Sequence, residues 1–338
     1  MSLLWIDGFE GYGTSTGSAP SPTGVMGRRY NAVTESGIDI EAGRLAGYCI
    51  ELASSTIELS TPILTTNATI IIGLAFKISS GGANNILLLR TGTTDGMGVR
   101  WLDTGELSVR LGVTTIASTA TLGLTPNTWY WLEFKVVTDN STGSYELKIG
   151  GTTVLSGTGI DTQPAASAYH DNIYFKSTYP LSIDDLYICD GAGSINNDFL
   201  GNCRVLAIRP DGAGNSTQWT PKSGSNYAAA NEDIIDDDTS YIESDTTDKL
   251  DLYTYDDVAD VGDIFGIQVN TCCKETDATN YSLKTTIRSN STNYDDTAQV
   301  IGSVNYVNKK RIAEVDPATT VAWTITGLNA AEFGIKVG

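Results

Sequence analysis

Strand-length apolar runs, broken roughly every ten residues by Gly, Asn, Asp or Ser, constrain this chain more than any other feature. Such runs are too short for helices that bury a face, and they are rich in the β-branched and aromatic residues that fit a pleated surface. The longest, Ala68-Thr-Ile-Ile-Ile-Gly-Leu-Ala-Phe76, has the length and composition of a central strand buried on both faces. Strong helix formers are sparse. The pattern predicts an all-β sandwich or barrel architecture, and a length of 338 residues predicts two domains, with a hydrophobic fraction of 41% sufficient for a core in each.

The charge excludes some partners. With 40 acidic residues against 21 basic ones, the formal net charge is −19. A surface of that sign repels nucleic acid and anionic membranes. No run approaches the ~20 apolar residues that span a bilayer as a helix. The apolar start, Leu3 to Ile6, has no basic flank or cleavage site and stops at Asp7, so the expectation is a protein made and folded in the cytoplasm. The five cysteines follow no metal-binding spacing, and Cys272-Cys273 point to opposite faces of a strand; all five read as reduced, mostly buried thiols.

The strands have a recognisable order. Asn85–Arg90, Met97–Leu102 and Glu106–Leu111 read as an antiparallel meander. In Pro126-Asn-Thr-Trp-Tyr-Trp-Leu-Glu-Phe-Lys-Val-Val137, alternation puts Trp129, Trp131, Glu133 and Lys135 on one face. Tyr130, Leu132, Phe134 and Val136 take the core side. Ser144–Leu155 is a hairpin turning at Gly150-Gly151. The closing run Tyr179-Pro-Leu-Ser-Ile-Asp-Asp-Leu-Tyr-Ile-Cys-Asp190, together with the opening Leu3-Leu-Trp-Ile-Asp-Gly-Phe-Glu10, resembles the last and first strands of a concanavalin A-like (laminin G-like) jelly roll. The resemblance implies that these two strands pair and close a lectin-like domain over residues 1–197.

A boundary falls in Asp190-Gly-Ala-Gly-Ser-Ile-Asn-Asn197. Beyond it come Asp198-Phe-Leu-Gly201, Pro210-Asp-Gly212, Trp219-Thr-Pro221 and Asp236-Asp-Asp-Thr-Ser-Tyr241. This block, with the opening strand, resembles tailed-bacteriophage particle proteins in which a laminin G-like domain precedes the same steps. Alternating strands at Phe265–Lys274, Tyr281–Arg288, Tyr306–Val315 and Phe333–Val337 predict a second β-sandwich over residues 198–338.

Reactive chemistry is thin. The one histidine, His170, lacks a nucleophile elbow and reads as an exposed loop residue. A glycosidase would need two facing carboxylates. Asp39-Ile-Glu41 offers a pair at alternate positions in a turn-like setting, whereas the adjacent Asp184 and Asp185 would point to opposite faces. The jelly-roll resemblance implies a Ca²⁺ rim, for which Asp184, Asp190, Asn196 and Asp198 are candidates, with Asp236, Asp237 and Asp238 in the second domain. Trp129, Trp131, Trp101 and Trp219 are candidates for stacking on a sugar or a neighbouring subunit, or else for cover by the opposing sheet or the second domain. The phage resemblance implies a non-enzymatic virion structural protein, tail-associated and homo-oligomeric, docked on other virion proteins and contacting host-surface glycan. A capsid decoration or head-fibre protein and a polysaccharide depolymerase are the alternatives.

Overall fold

The computed structural model describes residues 1–13, 22–33, 38–53, 57–79, 82–232, 234–259, 262–277 and 280–338. Of the Gly/Ser/Pro stretch read as a long loop from Gly11 to Gly27, residues 14–21 fall outside them. Its described end, Pro22–Met26, is a short helix (α1), which a proline in the first turn permits. The chain divides into two compact units, Met1–Leu206 and Ala207–Gly338.

The first unit contains β1 (Leu3–Asp7), β2 (Ala32–Val33), β3 (Ile38–Ala42), β4 (Tyr48–Leu52), β5 (Glu58–Ser60), β6 (Thr69–Ile78), β7 (Asn84–Thr91) and β8 (Thr94–Trp101). It continues with β9 (Leu107–Leu111), β10 (Thr114–Ser118), β11 (Tyr130–Val137), β12 (Gly143–Ile149), β13 (Thr152–Ile160), β14 (Asn172–Lys176) and β15 (Leu181–Asp190). These form two antiparallel sheets. The larger runs β13-β12-β11-β6-β15-β4-β3, with β1 also on β15, and the smaller runs β10-β9-β8-β7-β14-β5-β2.

The predicted alternation sets the core. Tyr130, Leu132, Phe134 and Val136 of β11 lie opposite Phe76, Leu74, Ile72 and Ile70 of β6. From the other sheet Trp101 meets Phe76 edge-on at 6.4 Å between ring centroids. Each fully buried side chain among these contributes about 1.5–3 kcal/mol by removal from water. The turn between β12 and β13 is Gly150-Gly151, both at positive φ (56° and 80°), as a two-residue hairpin of this hand requires.

The opening and closing strands pair as expected, Trp5 opposite Ile188 and Asp7 opposite Leu186. One edge of β15 serves two partners: residues 181–183 pair with β4, and residues 186–189 with β1. Where the partner changes, β15 bulges between Asp184 and Tyr187, with Asp185 at a φ of 52°.

The second unit contains β16 (Pro210–Thr217), β17 (Thr220–Pro221), β18 (Ile242–Glu243), β19 (Leu250–Tyr255), β20 (Ile267–Cys273), β21 (Ser282–Ser289), β22 (Thr292–Asp295), β23 (Gln299–Val300), β24 (Val307–Ala313), helix α2 (Ile325–Asn329) and β25 (Glu332–Val337). Its six-stranded sheet runs β16-β19-β25-β21-β22, with β23 also on β21. Against it packs a ribbon of β20 and β24, and Ile287, Trp323, Leu328, Ala331 and Phe333 fill the layer with Ile267, Val269 and Ala313. The second layer of this sandwich is thus two strands and a turn of helix. Helix α2 is capped by Thr324, whose Oγ1 accepts from the Gly327 amide at 3.0 Å.

The sequence placed the domain boundary at 197/198, but the segment 198–206 belongs to the first unit. The reason lies on the outer face of the larger sheet.

Candidate functional site

On that outer face, Glu133 of β11, Gly73 of β6 and Tyr187 of β15 form one row across three strands. A Cβ on Gly73 would lie 2.0 Å from the Tyr187 ring. Glycine therefore lets the phenol lie across β6 and donate its hydrogen to Glu133 Oε1 at 2.7 Å. Burial, and then the Glu133 charge, drives the Tyr187 pKa far above the ordinary phenol value, so the proton stays on the tyrosine.

The segment 198–205 lies over this pair as a strap. Leu200 N–H donates to Tyr187 Oη at 3.0 Å and Gly201 N–H donates to Glu133 Oε1 at 2.8 Å. Arg44 donates to Asn202 Oδ1 at 2.5 Å and to the Cys203 carbonyl at 2.6 Å, while its guanidinium sits 5.0 Å from the Trp131 ring. Val205 N–H donates to Asp185 Oδ1 at 2.8 Å, and Lys148 Nζ sits 4.0 Å from the Phe199 ring. Asp198 holds Lys135 at 3.0 Å.

The bulge in β15 corrects the expectation that Asp184 and Asp185 face apart. An extra residue in one strand reverses the alternation locally, so both carboxylates serve the loop after β3. Arg44 N–H donates to Asp184 Oδ2 at 2.7 Å, and the Arg44 guanidinium pairs with Asp185 at 2.8 Å. Burial, then the neighbouring Asp185 charge, pushes the Asp184 carboxyl up to about 6. Burial, with the charges of Asp184, Asp7 and Asp185, pushes Glu10 up to about 8. Carboxyls in that range hold and release protons near neutral pH. Asp39 and Glu41 lie on the edge strand β3 and not in a turn, with Asp39 opposite Glu51.

The candidate tryptophans separate. Trp101 is core, and Trp131 is 4% exposed beneath Arg44 and beside Tyr187, so neither is a free platform. Trp219 is half-buried, its Nε1 donating to the Lys249 carbonyl at 3.0 Å. Trp129 is half-buried at the sheet margin with Lys77 Nζ 5.1 Å from its ring.

The calcium candidates do not converge. Asp190 accepts from Thr65, Asn67 and the Ala192 amide; Asp236 accepts from Ser240; Asp238 is taken by Lys274 and Tyr306. Asn196 and Asp237 sit at left-handed turn positions, φ 55° and 56°. Among the described residues no group of three or more His, Cys, Asp or Glu side chains has metal-binding geometry.

His170 is buried, at 0% exposure, which overturns the exposed-loop reading. Its Nε2 accepts from the Met97 amide at 3.1 Å and its Nδ1 pairs with Thr138 Oγ1 at 2.8 Å. Burial pushes it down to about 3, so the imidazole is neutral and structural. All five cysteines are free thiols; Cys49 and Cys189 are buried and the other three half-buried.

No family model matches the chain, and no curated protein matches it. Among solved structures it is similar to the alginate lyase Aly36B at 15% identity, covering 56% of this chain and 96% of that one, with a TM-score of 0.40. It is similar to the endo-β-1,4-glucuronan lyase of the fungus Trichoderma reesei at 10% identity, covering 47% and 90%, with a TM-score of 0.38. For the sialidase of Trypanosoma rangeli the identity is 11% and the TM-score 0.34, and the match spans 27% of that protein's length. The expectation of a non-enzymatic protein is corrected here: these neighbours are glycan-processing enzymes, and that exclusion is withdrawn. Likeness at these scores transfers no activity to the chain.

Proposed function

We propose that the chain is a structural protein of a bacteriophage particle, tail-associated, that engages host-surface glycan through its first unit. The virion role is supported by the order of motifs from the opening strand through Asp198-Phe-Leu-Gly201 to Asp236-Asp-Asp-Thr-Ser-Tyr241. The glycan role is carried by one observation. On the outer face of the larger sheet, where the strap covers the group of Trp131, Tyr187, Glu133 and Arg44, the half-buried Trp129 stands at the margin with Lys77 Nζ 5.1 Å from its ring. Aromatic faces beside fixed polar groups suit a sugar's apolar and hydroxyl surfaces. Further copies of the chain and neighbouring virion proteins are the partners, and many copies convert weak single contacts into firm attachment. Immunogold electron microscopy with antibody to the full chain tests the location. Label on tails supports the reading, label over the head favours a decoration protein, and particles without label overturn both.

A second reading, a polysaccharide depolymerase, is favoured by Asp184 at about 6 and Glu10 at about 8, two proton donors coupled to each other and to Asp185 at the bulge of β15. Release of new chain ends from host polysaccharide, lost in Asp184→Asn and Glu10→Gln proteins that still fold, supports it. Intact polymer after prolonged incubation removes it.

A further inference from the structure

The outer face of the smaller sheet carries a second arrangement, built from strands remote from the strap. Register places Asn85 of β7, Arg100 of β8 and Ser108 of β9 in one row, and Gly98 of β8 beside Arg110 of β9 in the next. Their neighbours Val99, Trp101, Leu107 and Val109 point into the core, so these side chains point outward. Two arginines thus sit diagonally on adjacent strands.

Cations elsewhere on this face are matched. Arg90 pairs with Asp95 at 2.5 Å and lies against the Tyr174 ring, and Lys176 pairs with Glu58 at 2.6 Å. Arg100 and Arg110 are not matched. Arg110 donates only to neutral oxygens, Asn85 Oδ1 at 3.5 Å and the Val113 carbonyl at 2.9 Å. Arg100 makes no hydrogen bond or ion pair among the described residues, and its Nε is shut away from solvent without an acceptor. Ser108, 1% exposed in the same row, has a hydroxyl without a partner, and the Nε of Arg110 is likewise unmet. The Arg110 pKa is lowered by burial first and by the Arg100 charge second, with the Asp95 charge opposing both more weakly.

Like charges on neighbouring strands repel, and orphaned buried donors cost stability. A chain with 40 acidic residues puts no carboxylate in ion-pair contact with either arginine among the described residues, while pairing the cations beside them. Local rules broken together at one place mark function more often than accident. A guanidinium takes the oxygens of a carboxylate or sulfate through two parallel hydrogen bonds, and two guanidinia with a hydroxyl beside them offer a charged cradle.

We propose that Arg100, Arg110, Ser108 and Asn85 form a binding site for an oxyanion group, a carboxylate or a sulfate, on an acidic polysaccharide. The polymer part rests on the glycan reading above; the anion part rests on the arginine pair alone.

The test is binding of the full chain, by isothermal titration calorimetry, to polygalacturonate, to dextran sulfate and to neutral dextran of similar length. Binding of either acidic polymer but not of neutral dextran, weakened about tenfold or more in Arg100→Ala and Arg110→Ala, supports the site. The two acidic arms tell carboxylate from sulfate. Arg100→Lys, which keeps the charge but loses the fork, falls between, and Lys176→Ala, whose cation is already paired, stays within about twofold of the parent. Melting curves and circular dichroism confirm that each variant folds. Equal binding of neutral and acidic polymers, or undiminished binding in both alanine variants, overturns the site while leaving the glycan reading standing. No binding to either acidic polymer also overturns it, and the glycan reading then depends on the neutral polymer and on host polysaccharide.

Discussion

Each unit of this chain buries an aspartate that collects four hydrogen bonds, and the two do so differently. In the first, Asp7 takes the Phe9 amide, the Tyr12 and Tyr30 hydroxyls and the Arg29 guanidinium, at 2.7–3.4 Å. In the second, Asp251 takes the Gln218 and Trp219 amides, Asn226 Nδ2 and the Tyr253 hydroxyl, all neutral donors, at 2.5–3.1 Å. Around Asp7 stand two full sheets with a continuous apolar interior; the second unit has a smaller cluster under a two-stranded ribbon. The difference teaches where specificity resides. A large core fixes its strands by alternation, whereas a thin one depends on polar hubs that tie loops to a sheet.

Substitutions at the hubs should break this comparison most sharply. Asp7→Ala leaves the Arg29 cation largely buried without its carboxylate, an expected cost of about 3–5 kcal/mol. Asp251→Ala strands only neutral donors, an expected cost of about 2–3 kcal/mol. Calorimetry of each variant should lower the transition of its own unit and leave the other within error. A single transition lowered equally by both would show that the units are not separate in stability.

A second contrast concerns glycines. A Cβ on Gly334, in the centre of the second sheet, would lie 1.9 Å from the Asp251 carbonyl oxygen, backbone that cannot swing aside. On Gly73 it would meet only the Tyr187 ring, which can rotate away and release the strap. Gly334→Ala should therefore cost about 3 kcal/mol, at the top of the usual overpacking range, and Gly73→Ala about 1–2. Hydrogen exchange in Gly73→Ala should rise at 198–205 while the core strands stay protected; unchanged exchange there would show that the tyrosine does not hold the strap.

Titration gives opposite slopes in the first unit. His170 is held at about 3 against 6.5 when unfolded, so its contribution is complete above pH 6.5 and declines as pH falls toward 3. Between pH 6.5 and 5 the loss is about 2 kcal/mol, measured as the difference between the parent and His170→Gln. Asp184 and Glu10 are raised, so their contribution is complete below the unfolded carboxyl values and is lost as pH climbs through about 6 and about 8. Glu10→Gln should flatten denaturant midpoints between pH 5 and 8. The second unit has no histidine, and its transition should not show the loss that His170 produces between pH 6.5 and 5.

Much of the first unit was legible because period-2 alternation states which face each residue takes. Tyr130 to Val136 and the Gly150-Gly151 turn follow directly from that rule. The bulge at Asp184–Tyr187 was not, because it arises where β15 changes partners, and register across strands distant in sequence leaves no local mark. The same blindness hid the burial of His170, the Asp7 and Asp251 hubs, and the juxtaposition of Arg100 with Arg110. The strap was read as the start of a new domain because the Gly- and Asn-rich run just before it, Asp190 to Asn197, resembles a linker. Its place is set by Arg44, Glu133 and Tyr187, more than a hundred residues away for the first.

Hydrogen-exchange mass spectrometry of the full chain, with and without polysaccharide purified from the host surface, addresses the central claim most directly. Engagement of glycan by the first unit predicts added protection on its outer-face strands, β7 to β9 or β11, β15 and the strap, with the second unit unchanged. Protection confined to the second unit, or found nowhere at saturating polysaccharide, would contradict it.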